Sequence, residues 1–336
     1  MGYTYSAKAL DKALSELSHE YTIFAPKLFP EGAAFSGNDI VRYGKVSSIE
    51  EVVFDEKSYN SPKEAFSALS QTLFYFTEDA VTESSPPAKK ALVFMRSCDI
   101  HALKGLEDIF LRNKDPDYFY DRVRKNTRIV LMPCKTAFDS CFCVDMGTNK
   151  TDEYDLCVQK DGDQYFVACN ADDLKQVFAK HSESEKDFAV PFPAETKVRV
   201  NVSQKIEESA ATLPMWEEYD GRCIACGRCT FSCPSCACWS MQDLFYSENS
   251  RAGERKRVWS SCMVDRFSDM AGGESFRKKN GERMRFKTLH KIYHHKKRFG
   301  RFTCTGCGRC DDVCPEYISF SNIINKVSAA FDGAKT

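Results

Sequence analysis

Apolar and polar positions in the first half of the chain follow two alternating periods. Leu10, Leu14 and Leu17 share one face of an amphipathic helix near the start. Ser61-Pro62-Lys63-Glu64 reads as a capping box with proline in the first turn. It predicts a helix with Ala65, Phe66, Leu69, Leu73 and Phe76 on its apolar face. Ala91–Met95 and Arg128–Met132 are short unbroken apolar runs, the pattern of buried strands, and a helix is expected from Asp99 to about Leu111. Strands alternating with helices predict an α/β domain over residues 1–182. Residues 183–219 lose periodicity, are punctuated by Pro191, Pro193 and Pro214, and read as a connection. Beyond residue 220, Trp239–Asn249, Arg283–Phe299 and Ile318–Phe331 all read as helices, the last with apolar residues at 320, 323, 324 and 327. Residues 220–336 are therefore expected to form an all-helical domain.

Composition narrows the class. The 336 residues carry 47 Lys and Arg against 48 Asp and Glu, and 43% are apolar, enough to bury a core across about two domains. A net charge of −1 argues against a globally basic nucleic-acid binder. No apolar run is long enough to span a membrane. The opening MGYTYSAKALDKALSELSHE has no basic segment followed by an apolar stretch, so a cytoplasmic protein with reduced thiols is expected. That makes the 17 cysteines informative, because cysteine clusters in a reducing compartment argue for metal rather than disulfides. Charge is also uneven: residues 251–303 hold 16 Lys and Arg against 5 Asp and Glu. The two readings of this stretch are a solvated helical face and a docking face for an acidic partner. A nucleic-acid role for it finds no recognisable binding module.

The chemistry lies in one internal repeat. Cys223, Cys226, Cys229 and Cys233-Pro234 recur as Cys304, Cys307, Cys310 and Cys314-Pro315. Both are C-x2-C-x2-C-x3-C-P, the bacterial ferredoxin spacing for [4Fe–4S] clusters. Three closely spaced thiolates wrap one cubane, while Gly227 and Gly308 let the backbone come close. The fourth cysteine points away and, in two-cluster ferredoxins, ligates the other cluster. This predicts one cluster on Cys223, Cys226, Cys229 and Cys314 and another on Cys304, Cys307, Cys310 and Cys233. Zinc sites show paired C-x2-C units instead of complete four-cysteine runs. The fold class is thus α+β and multidomain, an N-terminal α/β domain followed by an all-helical two-[4Fe–4S] ferredoxin domain.

A third cluster is conceivable in the first half. Cys98 and Cys134 each sit just past an expected strand, so parallel pairing would put both at the carboxyl edge of the sheet. Cys141 and Cys143 follow within a short loop, and Asp99 is a reserve oxygen ligand. Cys236, Cys238 and Cys262 are expected to pack beside a cluster as small apolar groups, and Cys157 and Cys169 to belong to the core. His290, His294 and His295 read as part of a solvated helix, with no HExxH motif. Arg228 and Arg309, each two residues after a cysteine, would place positive charge beside anionic cubanes and raise their potentials. No dinucleotide fingerprint, Walker loop or nucleophile elbow is present, so no catalytic residues are expected in this chain.

The stretches GRCIACGRCTFSCPSCACWSMQDLFY, RVWSSCMVDRFSDMAGG, KNGERMRFK and CTGCGRCDDVCPEYISFSNIINK resemble the A subunit of bacterial anaerobic sulfite reductase over residues 221–327. MRSCDIHALKGLE and MPCKTAFDSCFC are similar to the same subunit and to the beta subunit of soluble sulfhydrogenases. The resemblance implies a non-catalytic electron-transfer subunit of a cytoplasmic oxidoreductase complex. Its partners would be a flavin-containing reductase subunit and a sirohaem subunit that reduces sulfite to sulfide. The alternative is the electron-transfer beta subunit of a soluble hydrogenase or sulfhydrogenase. It also implies a further cluster at Cys98, Cys134, Cys141 and Cys143.

Overall fold

The computed structural model describes residues 2–33, 37–248 and 250–333. In chain order the strands are β1 (Gly2–Ser6), β2 (Tyr21–Phe29), β3 (Ile40–Lys45), β4 (Ser70–Phe76), β5 (Val81–Glu83), β6 (Lys90–Met95), β7 (Thr127–Leu131), β8 (Leu156–Asp161), β9 (Gln164–Cys169), β10 (Ser184–Glu185), β11 (Trp239–Phe245) and β12 (Gly253–Trp259). The helices are α1 (Ala7–Leu17), α2 (Ser97–Phe110), α3 (Tyr118–Lys125), α4 (Asp172–His181), α5 (Glu218–Arg222), α6 (Arg228–Phe231), α7 (Asn280–Leu289), α8 (His295–Phe299), α9 (Arg309–Asp312) and α10 (Phe320–Asp332). A π-helical turn, His290–His294, joins α7 to α8.

The larger sheet runs β10-β1-β9-β8-β7-β6-β2-β3. Its centre, β2, β6, β7 and β8, is parallel. Side chains of β6 alternate between two cores: Leu92 and Phe94 join Leu10, Leu14 and Phe178 of α1 and α4, while Val93 and Met95 join Leu103, Leu106 and Tyr120 of α2 and α3. A strand covered on both faces is apolar along its buried length, which is why ALVFM and, past Arg128 at its edge, RIVLM carry no alternation. The register Met95↔Leu131 sets the ends of β6 and β7 level, and the segments that follow carry Cys98 and Cys134.

Two expectations are corrected. The capping box at Ser61 makes no side-chain cap bond and opens only a short 3-10 turn, Pro62–Ala65. Leu73 and Phe76 then lie in strand β4, because the β-favouring run QTLFYF finds a partner strand. The C-terminal region is not all-helical. Trp239–Phe245 pairs with Gly253–Trp259 as an antiparallel hairpin, and β12 pairs with β4, giving a second sheet ordered β11-β12-β4-β5. Trp239, Met241 and Phe245 fit a period of two, and Asp243 meets Arg255 across the strands at 2.6 Å. Phe245 also packs edge-on to Phe76 of β4, with ring centres 5.6 Å apart. A helix would have lost these long-range partners. Asn249, the end of the expected helix, lies outside the described residues.

Elsewhere the helical reading holds: Arg283–Phe299 lies in α7, the π turn and α8, and the helix expected over Ile318–Phe331 is α10, which starts at Phe320 behind its cap Ser319. Met284, Leu289, Ile292, Ile323, Ile324 and Val327 pack with Trp216 and Tyr219 in a third core. Among the described residues no helix is long and apolar enough to cross a membrane.

Candidate metal centres

Cys223 ends α5, Cys229 lies in α6, and Cys226 sits on the turn between them. That turn needs left-handed backbone at Ala225 (φ 55°) and Gly227 (φ 75°). A Cβ on Gly227 would come within 2.9 Å of Val264 Cγ1, so glycine serves both conformation and close approach. The resulting cavity is lined by Cys223, Cys226 and Cys229, and by Cys314 and Cys310 from the second repeat. Cys233, the fourth cysteine of the first repeat, is turned away from this cavity. It accepts a hydrogen bond from Lys291 Nζ at 3.2 Å, and the charge of Lys291 also acts on Cys304. Cys314 thus lies with the cysteines of the other repeat, and Cys310 forms a further wall of the same cavity.

A second cavity gathers Cys98, Cys134, Cys141 and Cys143, together with Cys307 of the second repeat. The loop carrying Cys141 and Cys143 is clamped onto that repeat. Phe142 N–H donates to Gly306 O at 2.8 Å, and Thr148 Oγ1 donates to Thr305 O at 2.6 Å. A Cβ on Gly306 would stand 2.6 Å from the Phe142 carbonyl carbon, so the two loops touch only because glycine is there. Asp99 does not line this cavity. Its carboxylate takes a two-pronged bond from Arg309, at 2.6 and 3.0 Å, with both side chains about fully buried. The remaining Arg309 donors reach Ser58.

Buried cations face these thiols, and sequence reasoning missed them. Lys287 and Lys291 are 4% and 3% exposed. They share a helical face with Met284, Thr288 and Ile292, so the strongly basic segment turns part of its charge inward. The signal was present: lysines at i and i+4 inside an apolar stripe, where lysine is rarely found without a partner. Burial pushes both lysines down, but the thiols of Cys229 and Cys310 around Lys287, and of Cys233 and Cys236 around Lys291, more than offset it and leave both raised. Lys57 behaves alike, sitting 2.5 Å from Asp312 and donating to Cys307 O at 3.2 Å. Lys63 is different: burial wins and holds it below its ordinary value. Of the sequence-singled arginines, Arg309 is inside and Arg228 is exposed. His295 is buried against Asp108 at 3.1 Å, and burial pushes His290 down to about 4, so the histidines are not simply a solvated face.

Burial also pushes Cys304 and Cys143 up to about 12 and Cys307 to about 11. These thiols hold their protons until a metal displaces them. Among the described residues, no three His, Cys, Asp or Glu side chains converge closely enough for a single ion. The donor set fits [4Fe–4S] chemistry: thiols around largely apolar cavities, with cations to balance anionic sulfur. Replacing Lys291 with methionine removes the charge and keeps the length. A charged hydrogen bond is worth about 1.5–3 kcal/mol. The reduction potential of the centre at Cys233 should therefore fall by about 60–130 mV. EPR-monitored redox titration reads this, and an unmoved potential would refute the role.

A family model described as a 4Fe-4S dicluster domain matches residues 222–318. Sulfhydrogenase 2 subunit beta from Pyrococcus furiosus is 31% identical over 307 residues, spanning 86% of this chain and 90% of that protein. Two [4Fe–4S] clusters and an iron–sulfur electron-transfer role follow from these two similarities, and the Pyrococcus protein is by its name one subunit of a larger enzyme.

Proposed function

The chain belongs to the family of sulfhydrogenase beta subunits, and we propose that it is the electron-transfer subunit of a soluble hydrogenase or sulfhydrogenase complex. The observation that carries this reading is contiguity. Cys310 lines the first cavity while belonging to the second repeat, and Cys307 of that repeat lines the cavity of Cys98, Cys134, Cys141 and Cys143. In this reading the second repeat stands between two thiol-lined cavities, with Cys310 on one and Cys307 on the other.

In this proposal the ligands are Cys223, Cys226, Cys229 and Cys314 for site one, and Cys304, Cys307, Cys310 and Cys233 for site two. Cys98, Cys134, Cys141 and Cys143 serve site three. Asp99 is committed to Arg309 and is not needed as a ligand. Bound [4Fe–4S] clusters supply one-electron steps between partners that exchange electrons in pairs. The chain's own residues set the conditions. Lys287 lies between Cys229 of site one and Cys310 of site two, and Lys291 reaches Cys233, so positive charge favours the reduced form in the middle of the series. Cys141, Cys143, Cys233, Cys304 and Cys307 are buried, the other ligands are half-buried, and Cys226 is exposed.

Anaerobic iron and acid-labile sulfide analysis with EPR tests the reading. About twelve irons are expected, falling to about eight when Cys134→Ser removes site three. About eight in the unmodified chain would mean that Cys98, Cys134, Cys141 and Cys143 hold nothing. The sulfite reductase reading, with flavin and sirohaem partner subunits, rests on the cysteine-rich stretches of residues 221–327. Co-purification with a nickel–iron subunit supports the first reading, and co-purification with a sirohaem subunit the second.

A further inference from the structure

Three cysteines near the proposed relay belong to neither four-cysteine run: Cys236, Cys238 and Cys262. Cys157 and Cys169 show what a packing thiol looks like here, since each lies in a strand without a thiol partner. The three near the relay are placed otherwise. The β11–β12 ladder runs in register back to Trp239↔Trp259, and Ser260 N–H continues it to Cys238 O at 2.9 Å. Cys238 therefore stands at the base of the hairpin. Just beyond, Met263 N–H donates to Ser261 Oγ at 3.1 Å and Val264 N–H to Ser261 O at 3.1 Å, closing a tight turn. That turn folds Cys262 back into the core against which Cys238 packs, and the two thiols act on each other's ionisation, lowering that of Cys238 and raising that of Cys262. Both are free, and Cys262 is 5% exposed. Cys236 and Cys233 of site two act on each other in the same way. Two free thiols brought to the base of one hairpin beside a third next to Cys233 are an arrangement that close packing alone does not require.

We propose that Cys238 and Cys262 are a redox-active dithiol, a two-electron store attached to site two. The inference rests on reading site two as an iron–sulfur centre. On oxidation the two S–H bonds break and one S–S bond forms. The two electrons pass singly to oxidised iron–sulfur centres, through the Cys236–Cys233 contact, and two protons go to water. Reduction reverses each step. Such a store lets a one-electron relay accept a pair of electrons without waiting for its outlet.

The test uses the full chain, prepared anaerobically, oxidised and then titrated coulometrically with a low-potential reductant while iron is counted. The unmodified chain should take up two electrons more than its number of clusters. Cys238→Ser and Cys262→Ser should each lose those two electrons with iron content and EPR signals unchanged. Alkylation and peptide mapping of the unmodified chain needs no variant: after oxidation with diamide, a peptide joining Cys238 to Cys262 should appear, and reduction should abolish it. Equal electron counts in variant and unmodified chains, or both thiols alkylated after oxidation, overturn the proposal. A chain without iron would sink the relay instead, and the mapping would still report on the dithiol.

Discussion

Arg309→Met should cost about 3–5 kcal/mol at the junction between sites two and three, because it strands a buried carboxylate. Asp99 is 2% exposed, and Arg309 is the side chain that compensates its charge, through both carboxylate oxygens. The remaining guanidinium donors hold Ser58, so the substitution also frees the segment before the 3-10 turn. Asp99→Asn with Arg309→Met should recover much of the loss, since a matched removal leaves no orphan charge. Denaturant midpoints of the three variants give the coupling. A single Arg309→Met chain as stable as the unmodified one would mean that the pair contributes nothing. The same geometry limits the electrostatic part of Arg309. Its charge is matched by Asp99 at 2.6 Å, so the unmatched positive charge near site two is that of Lys287 and Lys291. Arg228, also expected to tune a cluster, is exposed and screened by water and salt.

Cys314→Ser should remove a cluster from the opposite repeat. Cys314 belongs to the second run in sequence, but its thiol lines the cavity of Cys223, Cys226 and Cys229. The expected loss is about four irons, and the EPR signal that vanishes should be the one lost in Cys223→Ser. Cys233→Ser should instead pair with Cys304→Ser. If the signals grouped by sequence neighbourhood, with Cys314 falling in with Cys304, the exchange of ligands would be wrong. The exchange also ties folding to metal. With ligands exchanged in this way neither repeat would complete a site alone, so losing one cluster should loosen both.

The cysteine spacing is decided locally, which is why it could be read. Thiolates at i, i+3 and i+6 around a left-handed glycine reach one small object whatever surrounds them, and residues 222–318 match a dicluster domain on that pattern. The unbroken apolar runs of β6 and β7 were legible for a similar reason: a strand covered on both faces leaves no polar position. Their parallel register then brought Cys98 and Cys134 to one cavity, as their positions past the two strands suggested.

What the sequence left open depends on partners far along the chain. Trp239–Phe245 fits a helix or a strand by pattern, and only β12 and β4, the latter more than 160 residues away, make it a strand. Ser61–Phe76 is divided between a turn and β4 for the same reason. Lys287 and Lys291 read as solvent-facing charge, because a lysine inside a core is prohibitive unless anionic groups wait there. Tertiary structure supplies those groups, placing thiols from both repeats around the two ammoniums. The pairing of Cys238 with Cys262 is likewise invisible in one dimension, since it exists only once a hairpin closes and the next turn doubles back.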